Sequence, residues 1–241
     1  MRIGIVSTRL AGVDGVTFEA TKWEMALERM GHQVRMCSGA VDALRTTARL
    51  VPPMHFAWPP AARVTEAAFD PNSDPVAVRS EVGRLADMLV PVLEHWIDAE
   101  HLEVLIVENA WAIPMHLPLG LALRRVVENR MLRTIGHHHD YWWERERFLT
   151  CVVPEVLTHA FPPDLPSVRH VSINSIAAGE LRRRRGLDSM VVPNVFDFER
   201  PRPRPHPAVR RRLRSELGMG EGGLLAVQPT RVVPRKGIEL A

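Results

Sequence analysis

Residues 3–37 read IGIVSTRLAGVDGVTFEATKWEMALERMGHQVRMC, and the order of their patterns decides the fold. Ile3–Ser7 is a short apolar run that predicts a buried strand. Arg9–Gly15 is a turn region holding two glycines. Val16–Met30 has helical spacing, with Phe18, Met25, Leu27 and Met30 able to share a face. Gly31 stands where a helix C-cap belongs, and Gln33–Cys37 predicts a second strand. Strand, glycine loop, helix, glycine and strand make the opening of a Rossmann-like βαβ unit.

The alternation continues outward. Val76–Ala99 spaces Leu85, Met88, Leu89, Val92, Leu93 and Trp96 for one helical face, with Pro91 as a candidate kink. Glu103–Val107 (EVLIV) predicts a buried strand with Glu108 and Asn109 at its C-terminal end. Met115–Asn129 predicts a helix and Leu132–Ile135 a strand. Arg169–Ile173 predicts a strand, Ser175–Arg185 a helix and Met190–Val192 a short strand. Strands alternating with helices imply an α/β fold with a Rossmann-like parallel sheet. Residues 41–75 break the pattern; rich in proline and alanine, they read as an insertion or long excursion. The four prolines of Glu199–Pro207 (ERPRPRPHP) predict a semi-rigid linker. A helix over Ala208–Leu217 and a fresh strand over Leu224–Gln228 follow, and a helix starts at Gly237. One strand and one helical turn cannot bury a core of their own. The expected plan is therefore a first domain at 1–198, a linker and connecting helix at 199–221, and the truncated start of a second Rossmann-like domain at 222–241.

The chain has 241 residues, 46% hydrophobic and 24% charged, enough for one large domain or one domain and part of another. No run approaches the length of a membrane span. The apolar stretch in MRIGIVSTRL is too short for a signal sequence. Cys37 and Cys151 are the only cysteines, which excludes a disulfide framework and fits a reducing cytoplasm. A net charge of +3 and a pI near 9.4 are mildly basic. The best basic cluster, Arg182–Arg185, reads as a solvated helix face, so no nucleic-acid partner is expected. Homo-oligomerisation is left open.

Three stretches carry chemistry. In Ala11–Val16 the glycines let the backbone approach a ligand, and a helix N-terminus favours phosphate; the loop is not GxGxxG, and a plain turn accounts for it equally well. Arg231 and Lys236, in TRVVPRKG, could clamp a diphosphate; solvated loop charges are the simpler reading of those two alone. Residues 136–148, GHHHDYWWERERF, hold the third. Three readings stay open there: a packed polar loop, a strand-end imidazole that hydrogen-bonds a substrate beside a wall of Tyr141, Trp142 and Trp143, or a metal site. Metal is the least supported, because adjacent residues of an extended segment point different ways and rarely converge on one ion. Glu144–Arg147 predicts a helix start, its glutamates complementing the dipole.

Taken in order, the motifs resemble the retaining glycosyltransferases of the GT-B fold, in the large family-4 group. DGV followed by a helix ending in ERMGHQV is similar to that group's opening, HHHDYW to its strand-end HD loop, VVPNVFDF to its interdomain VIPNGVD, and TRVVPRKGIELA to the GR-L-P-EKG-I segment that opens its donor-binding domain. Asn194 and Asp197 match the interdomain motif, whereas Val195 replaces its glycine. VENAWAIPMHLPLG and NSIAAGELRRRRGL resemble one branch of the group, and the resemblance suggests compatible-solute synthesis, such as a mannosyl- or glucosylglycerate pathway.

The resemblance implies a nucleotide-diphosphate sugar as donor, a small hydroxyl acceptor and retention of configuration. By alignment to the HD loop His139 would contact the transferred sugar, with His138 as the second choice. Gly15 would let backbone amides meet the diphosphate or the acceptor. Arg231 and Lys236 would neutralise the leaving diphosphate, work that a metal does elsewhere; no metal and no cofactor is expected, and no nucleophile is assigned. Strand-end geometry makes Asn109, His116 and the 41–75 excursion acceptor-side candidates, with Tyr141 beside them. The group's E-x7-E pair is absent from the sequence. Two other readings compete: a non-catalytic sugar- or acceptor-binding module, and a metal-dependent hydrolase built on the histidine cluster.

Overall fold

The computed structural model describes residues 1–42, 48–196, 198, 204, 206–220, 223–229, 232 and 236–240. Its contacts divide the chain into two units, Met1–Asn194 and Val195–Ala241.

The first unit is an α/β, Rossmann-like fold. Its strands are β1 (Arg2–Ser7), β2 (Gln33–Ser38), β3 (Ala48–Leu50), β4 (Val104–Glu108), β5 (Arg133–His138), β6 (Val168–Ser172) and β7 (Ser189–Val191). They form one sheet in the order β3-β2-β1-β4-β5-β6-β7, with every pairing parallel. The helices are α1 (Gly15–Arg29), α2 (Pro59–Ala68), α3 (Pro75–Ala99), α4 (Leu117–Arg130), α5 (Pro154–Ala160) and α6 (Ser175–Arg185). The chain leaves β1 in one direction through β2 and β3, then returns to the other side of β1 with β4. In open parallel sheets the ligand crevice lies at the carboxyl ends of the strands, where the order reverses. Here that point is between β1 and β4.

Strand side chains alternate between the two faces, and the two cores record it. Ile3, Ile5, Val34, Met36 and Ile106 pack with Ala20, Trp23 and Leu27 of α1. Val6, Leu105 and Val107 point the opposite way, into a larger cluster with Leu85, Leu89, Leu93 and Trp96 of α3 and Leu123 of α4. Each such leucine or valine contributes about 1.5–3 kcal/mol through its burial. Asp74 caps α3 by accepting from Val76 N–H. Pro91 lies on the exposed side of that helix, which continues unbroken to Ala99.

Several elements depart from the sequence expectation. Phe18, Met30 and Met88 are exposed, because the sheet-facing side of α1 is Ala20, Trp23 and Leu27 and that of α3 is Leu85, Leu89 and Leu93. Residues 41–75 are built into the domain: β3 extends the sheet, Pro52–Met54 makes a 3-10 turn, and α2 buries Ala61, Val64, Thr65 and Ala68. Proline at the first turn of a helix starts it rather than breaking it; residues 43–47 lie outside the described set. Helix α5 is an addition. Glu144–Arg147 forms two short 3-10 turns, Trp142–Glu144 and Glu146–Phe148, in place of a helix start. Strand β5 runs three residues beyond Ile135, so Gly136, His137 and His138 belong to the sheet and not to a loop after it.

The second unit contains α7 (Pro207–Glu216), whose side chains are all outside any core, and a 3-10 turn at Ile238–Leu240. The strand expected at Leu224–Gln228 is not formed: residues 223–229 have no regular structure. A strand exists only as a hydrogen-bonded ladder, and none of the described residues offers one. Arg231, Asp197 and most of the 199–207 linker lie outside the described residues.

Gly39, at the end of β2, shows how tightly the excursion is docked, since a Cβ there would lie 2.0 Å from the His55 backbone nitrogen. Gly39→Ala is expected to lower stability by about 1–3 kcal/mol, whereas Gly83→Ala, in an open position of α3, is expected to raise it by about 0.5–1 kcal/mol. Chemical denaturation of the two variants checks both signs.

Candidate functional site

The alternation that sorts the cores also sorts the histidines. Glu108 ends β4 and is in register with His137 of β5. Both share a face with Ile106 and Ile135, the face that packs on α1, where the Trp23 ring lies 5.0 Å from that of His137. His139 is two residues on and returns to that side. His138 points the opposite way. Thus His137 and His139 converge on Glu108, while His138 leaves them.

The cluster is compact. The His137 Nδ1 atom lies 2.8 Å from Glu108 Oε2, and His139 Nε2 lies 2.7 Å from Glu108 Oε1, an ion-pair distance with the N–H off the line to the oxygen. The rings of His137 and His139 meet edge to face at 5.0 Å. Glu108 and His137 are fully buried, and His139 keeps 12% of its side chain exposed. Burial pushes the Glu108 carboxyl up, but the hydrogen bond from His137, the close contact with His139 and the charge of both rings outweigh it and hold it below the usual carboxylate range. For His139, burial pushes the imidazole down, and the contact with Glu108, aided by the charges of Glu19 and Asp140, more than offsets it; the net shift is upward.

Asn109 locks the strand ends together. It sits at φ 56°, a left-handed conformation that asparagine tolerates better than most residues. Its backbone N–H donates to His137 O at 2.8 Å, and its side-chain oxygen accepts from the His139 N–H at 3.0 Å. Ser7 Oγ, from β1, donates to Glu108 O at 2.9 Å. The cluster is therefore tied to β1, β4 and β5, the strands beside the order reversal.

The glycine loop stands over the end of β1. Gly15 is the first residue of α1, is exposed, and has open space where a side chain would stand. The amides of Val16 and Thr17 are already taken by the Asp14 carboxylate, which caps the helix and pairs with Arg9 at 2.9 Å. A phosphate at this N-terminus would have to share it with Asp14.

The other sequence candidates fall elsewhere. His138 is fully buried and its Nε2 is 3.0 Å from His170 Nδ1; burial first, then the neighbouring imidazoles, holds it well below the usual value. Gly136 makes room for the pair, since a Cβ there would lie 3.0 Å from the His138 ring. Tyr141 is buried, its hydroxyl 2.9 Å from Ser172 Oγ, and stacks on Trp143 at 4.5 Å, so these aromatics are core. Asp140 is turned to Arg145. Lys236 is exposed in the second unit, its carbonyl accepting from Gln228, and Arg231 lies outside the described residues. Glu108 and His137 were not singled out from the sequence. The signal was there, as an i, i+2 histidine pair whose partner strand ends in glutamate.

Glu108, His137 and His139 each offer one donor atom, all within 4.8 Å of one another. Two imidazoles and one carboxylate are also a set that can hold a divalent cation. Consecutive histidines diverge, as His138 does from its neighbours, but the alternate pair His137 and His139 shares a face. Among the described residues, no helix is long and apolar enough to cross a membrane.

No family model matches the chain. Over its whole length the chain is 34% identical to a mannosylglucosylglycerate synthase of Thermotoga maritima and 30% identical to a mannosylglucosylglycerate synthase of Petrotoga mobilis. It spans 55% of the length of each of these relatives. A solved structure described as the lipopolysaccharide outer core galactosyltransferase WaaB, apo form, overlays 81% of this chain and 46% of its own with a TM-score of 0.46 and 13% identity.

His116 is a buried cap with both ring nitrogens engaged. Its Nδ1 accepts from Leu119 N–H at 3.1 Å, starting α4, and its Nε2–H donates to Pro53 O at 2.9 Å. The bond accepted at Nδ1 needs the neutral ring; burial lowers the pKa to about 4, against the opposing pull of the bond to Pro53 O. The folded value lies below the unfolded one, so the unfolded chain binds more protons and stability falls as pH drops below about 6.5. The loss from this residue should reach roughly 2 kcal/mol at pH 5. His116→Asn, which keeps a cap acceptor without the titration, should flatten that part of the stability–pH curve; an unchanged slope between pH 7 and 5 would exclude the assignment.

Proposed function

We propose that this chain is the acceptor-side part of a nucleotide-sugar-dependent glycosyltransferase of the GT-B type, which transfers a mannosyl group to glucosylglycerate with retention of configuration. The observation that carries the reading is the similarity of the whole chain to two mannosylglucosylglycerate synthases. The strand-end cluster lies inside the matched region, at the sheet edge where an α/β fold binds its ligands.

The chemistry asked of these residues is limited. The bond from the anomeric carbon to the diphosphate breaks, a bond to the acceptor hydroxyl oxygen forms, and the acceptor proton leaves. The transition state has oxocarbenium character at the sugar and growing negative charge on the diphosphate. In this reading His139 donates a hydrogen bond to the sugar or to a phosphoryl oxygen and stabilises that charge separation. Arg231 and Lys236 neutralise the leaving diphosphate as a fork and a point charge, so no metal and no other cofactor is assigned. Gly15 allows close approach over the end of β1, and Asn109 supports the acceptor side by holding His139. His138, His116 and Tyr141 serve the frame, since each is buried and already engaged. The residues 1–198 form the acceptor-side domain, 199–221 the linker and connecting helix, and 222–241 the start of the donor-binding part. No membrane-spanning helix is assigned, and the cytoplasm, where nucleotide sugars are made, is the proposed location.

The test is to incubate the whole protein with GDP-mannose or UDP-mannose and glucosylglycerate, following product by mass spectrometry and its anomeric configuration by NMR. Mannosylglucosylglycerate with the donor's configuration is the expected product; transfer with inversion would remove the retaining mechanism, and no transfer from either donor would remove the proposal. His139→Ala should lower turnover by about a hundredfold or more; because it also removes one of the two imidazoles beside buried Glu108, a lowered unfolding midpoint is expected with it, and His139→Gln separates the two effects.

A further inference from the structure

Glu108 is an expensive residue for its place. A carboxylate without solvent access at the end of a central strand is tolerated only when it is paired and hydrogen-bonded, and an apolar side chain would pack there at no such cost. Its two oxygens divide two imidazoles between them: Oε2 takes His137 Nδ1 at 2.8 Å and Oε1 takes His139 Nε2 at 2.7 Å. The partners differ in what remains. His137 is enclosed, its Nε2 buried and without a hydrogen bond. His139 is the member that reaches solvent, and its buried nitrogen is Nε2. Its Nδ1 has no hydrogen bond among the described residues. The backbone of His139 is fixed as well, through the Asn109 side chain.

We propose that Glu108 is the positioning residue of this site: it captures the Nε2 edge of His139, so that His139 meets an oxygen of its ligand through Nδ1, with the ring held in one orientation. The ligand class is a hydroxyl or phosphoryl oxygen of a sugar nucleotide or its acceptor. This rests on the preceding reading only in taking His139 as the ligand-facing residue. Asn109 sets the height of His139 above the strand end and Glu108 sets its rotation. Glu108 is itself fixed by the His137 hydrogen bond and by the Ser7 contact to its carbonyl.

Direct contact explains the distances better than a bridging cation. Ligand atoms about 2.0–2.1 Å from a tetrahedral ion stand about 3.3 Å from one another. The two nitrogen-to-oxygen separations are 2.7 and 2.8 Å, and each nitrogen takes a different oxygen. One is a hydrogen bond and the other a close ion-pair contact, so the carboxylate stands directly between the two imidazoles.

The experiment has two arms. In the first, the chain with 15N-labelled histidine is studied by long-range imidazole NMR, with His139→Gln used to assign the signals. The expected result is a slowly exchanging proton on His139 Nε2 and an Nδ1 in rapid contact with solvent. Glu108→Gln leaves one imidazole without its acceptor and should abolish the slow exchange or change the tautomer. A slowly exchanging proton on Nδ1, or a His139 spectrum that is the same in wild type and Glu108→Gln, would overturn the proposal. So would one equivalent of tightly held divalent metal in the purified protein whose removal by a chelator shifts the His137 and His139 signals, because Glu108 would then be a ligand. In the second arm, kinetics of the whole protein with the mannosyl donor and glucosylglycerate should show kcat reduced at least tenfold in Glu108→Gln with the donor KM changed less than threefold. Glu108→Asp should recover part of the loss. A loss confined to KM, or no recovery by aspartate, would count against positioning. The first arm needs no activity, so the expected NMR result together with absent transfer would condemn the functional reading and leave the role of Glu108 intact.

Discussion

A carboxylate buried at a strand end must be compensated where it stands, and the compensation of Glu108 organises this site. The charge cannot be relaxed by solvent, since the side chain has no exposure. It is met by two imidazoles from the neighbouring strand, whose register with β4 places His137 opposite Glu108. That register is enforced by the apolar residues beneath. A slip of one residue would turn Ile135 away from α1 and bring Gly136 and His138 to face Glu108. The cores of the sheet and the electrostatics of its edge thus specify the same alignment.

The opposite face of β5 shows what the same sequence does without a carboxylate. His138 meets His170, and both are held well below the ordinary imidazole range, chiefly by burial. Two neutral rings can share a hydrogen bond because one donates and the other accepts. Three consecutive histidines therefore divide into a charged environment on one side of the sheet and a neutral one on the other.

Much of this was legible in the sequence. Helix α6 was bounded as Ser175–Arg185 because its ends are chemically marked: Asn174 accepts from Ala177 N–H at 2.8 Å, and Gly186 adopts a left-handed conformation. Strand β4 showed itself through EVLIV, and the placing of HHHD near the carboxyl edge of the sheet followed from chain order. The end of β5 was hidden because an apolar run stops at Ile135 while its ladder does not, and the ladder is what makes the strand. Strand β3 has three residues and rests on pairing with β2, which no local pattern reports. The partnership of Glu108 with His139 joins residues far apart in the chain, and only register brings them together.

The position of β1 carries a cost in time. It is the first strand of the chain, yet it lies inside the sheet, paired with β2 through Ile3 and Val34 and with β4 through Ile3 and Val104. The first pairing is available early in synthesis. The second waits for about seventy further residues, from the end of β2 to the end of β4, roughly 4–14 seconds at ordinary rates of translation. During that interval an apolar strand has one unpaired edge, open to any other extended segment. Chaperone shielding of the nascent chain, or a pause in translation after β4, would bear on the yield of this protein more than on the stability of its final fold.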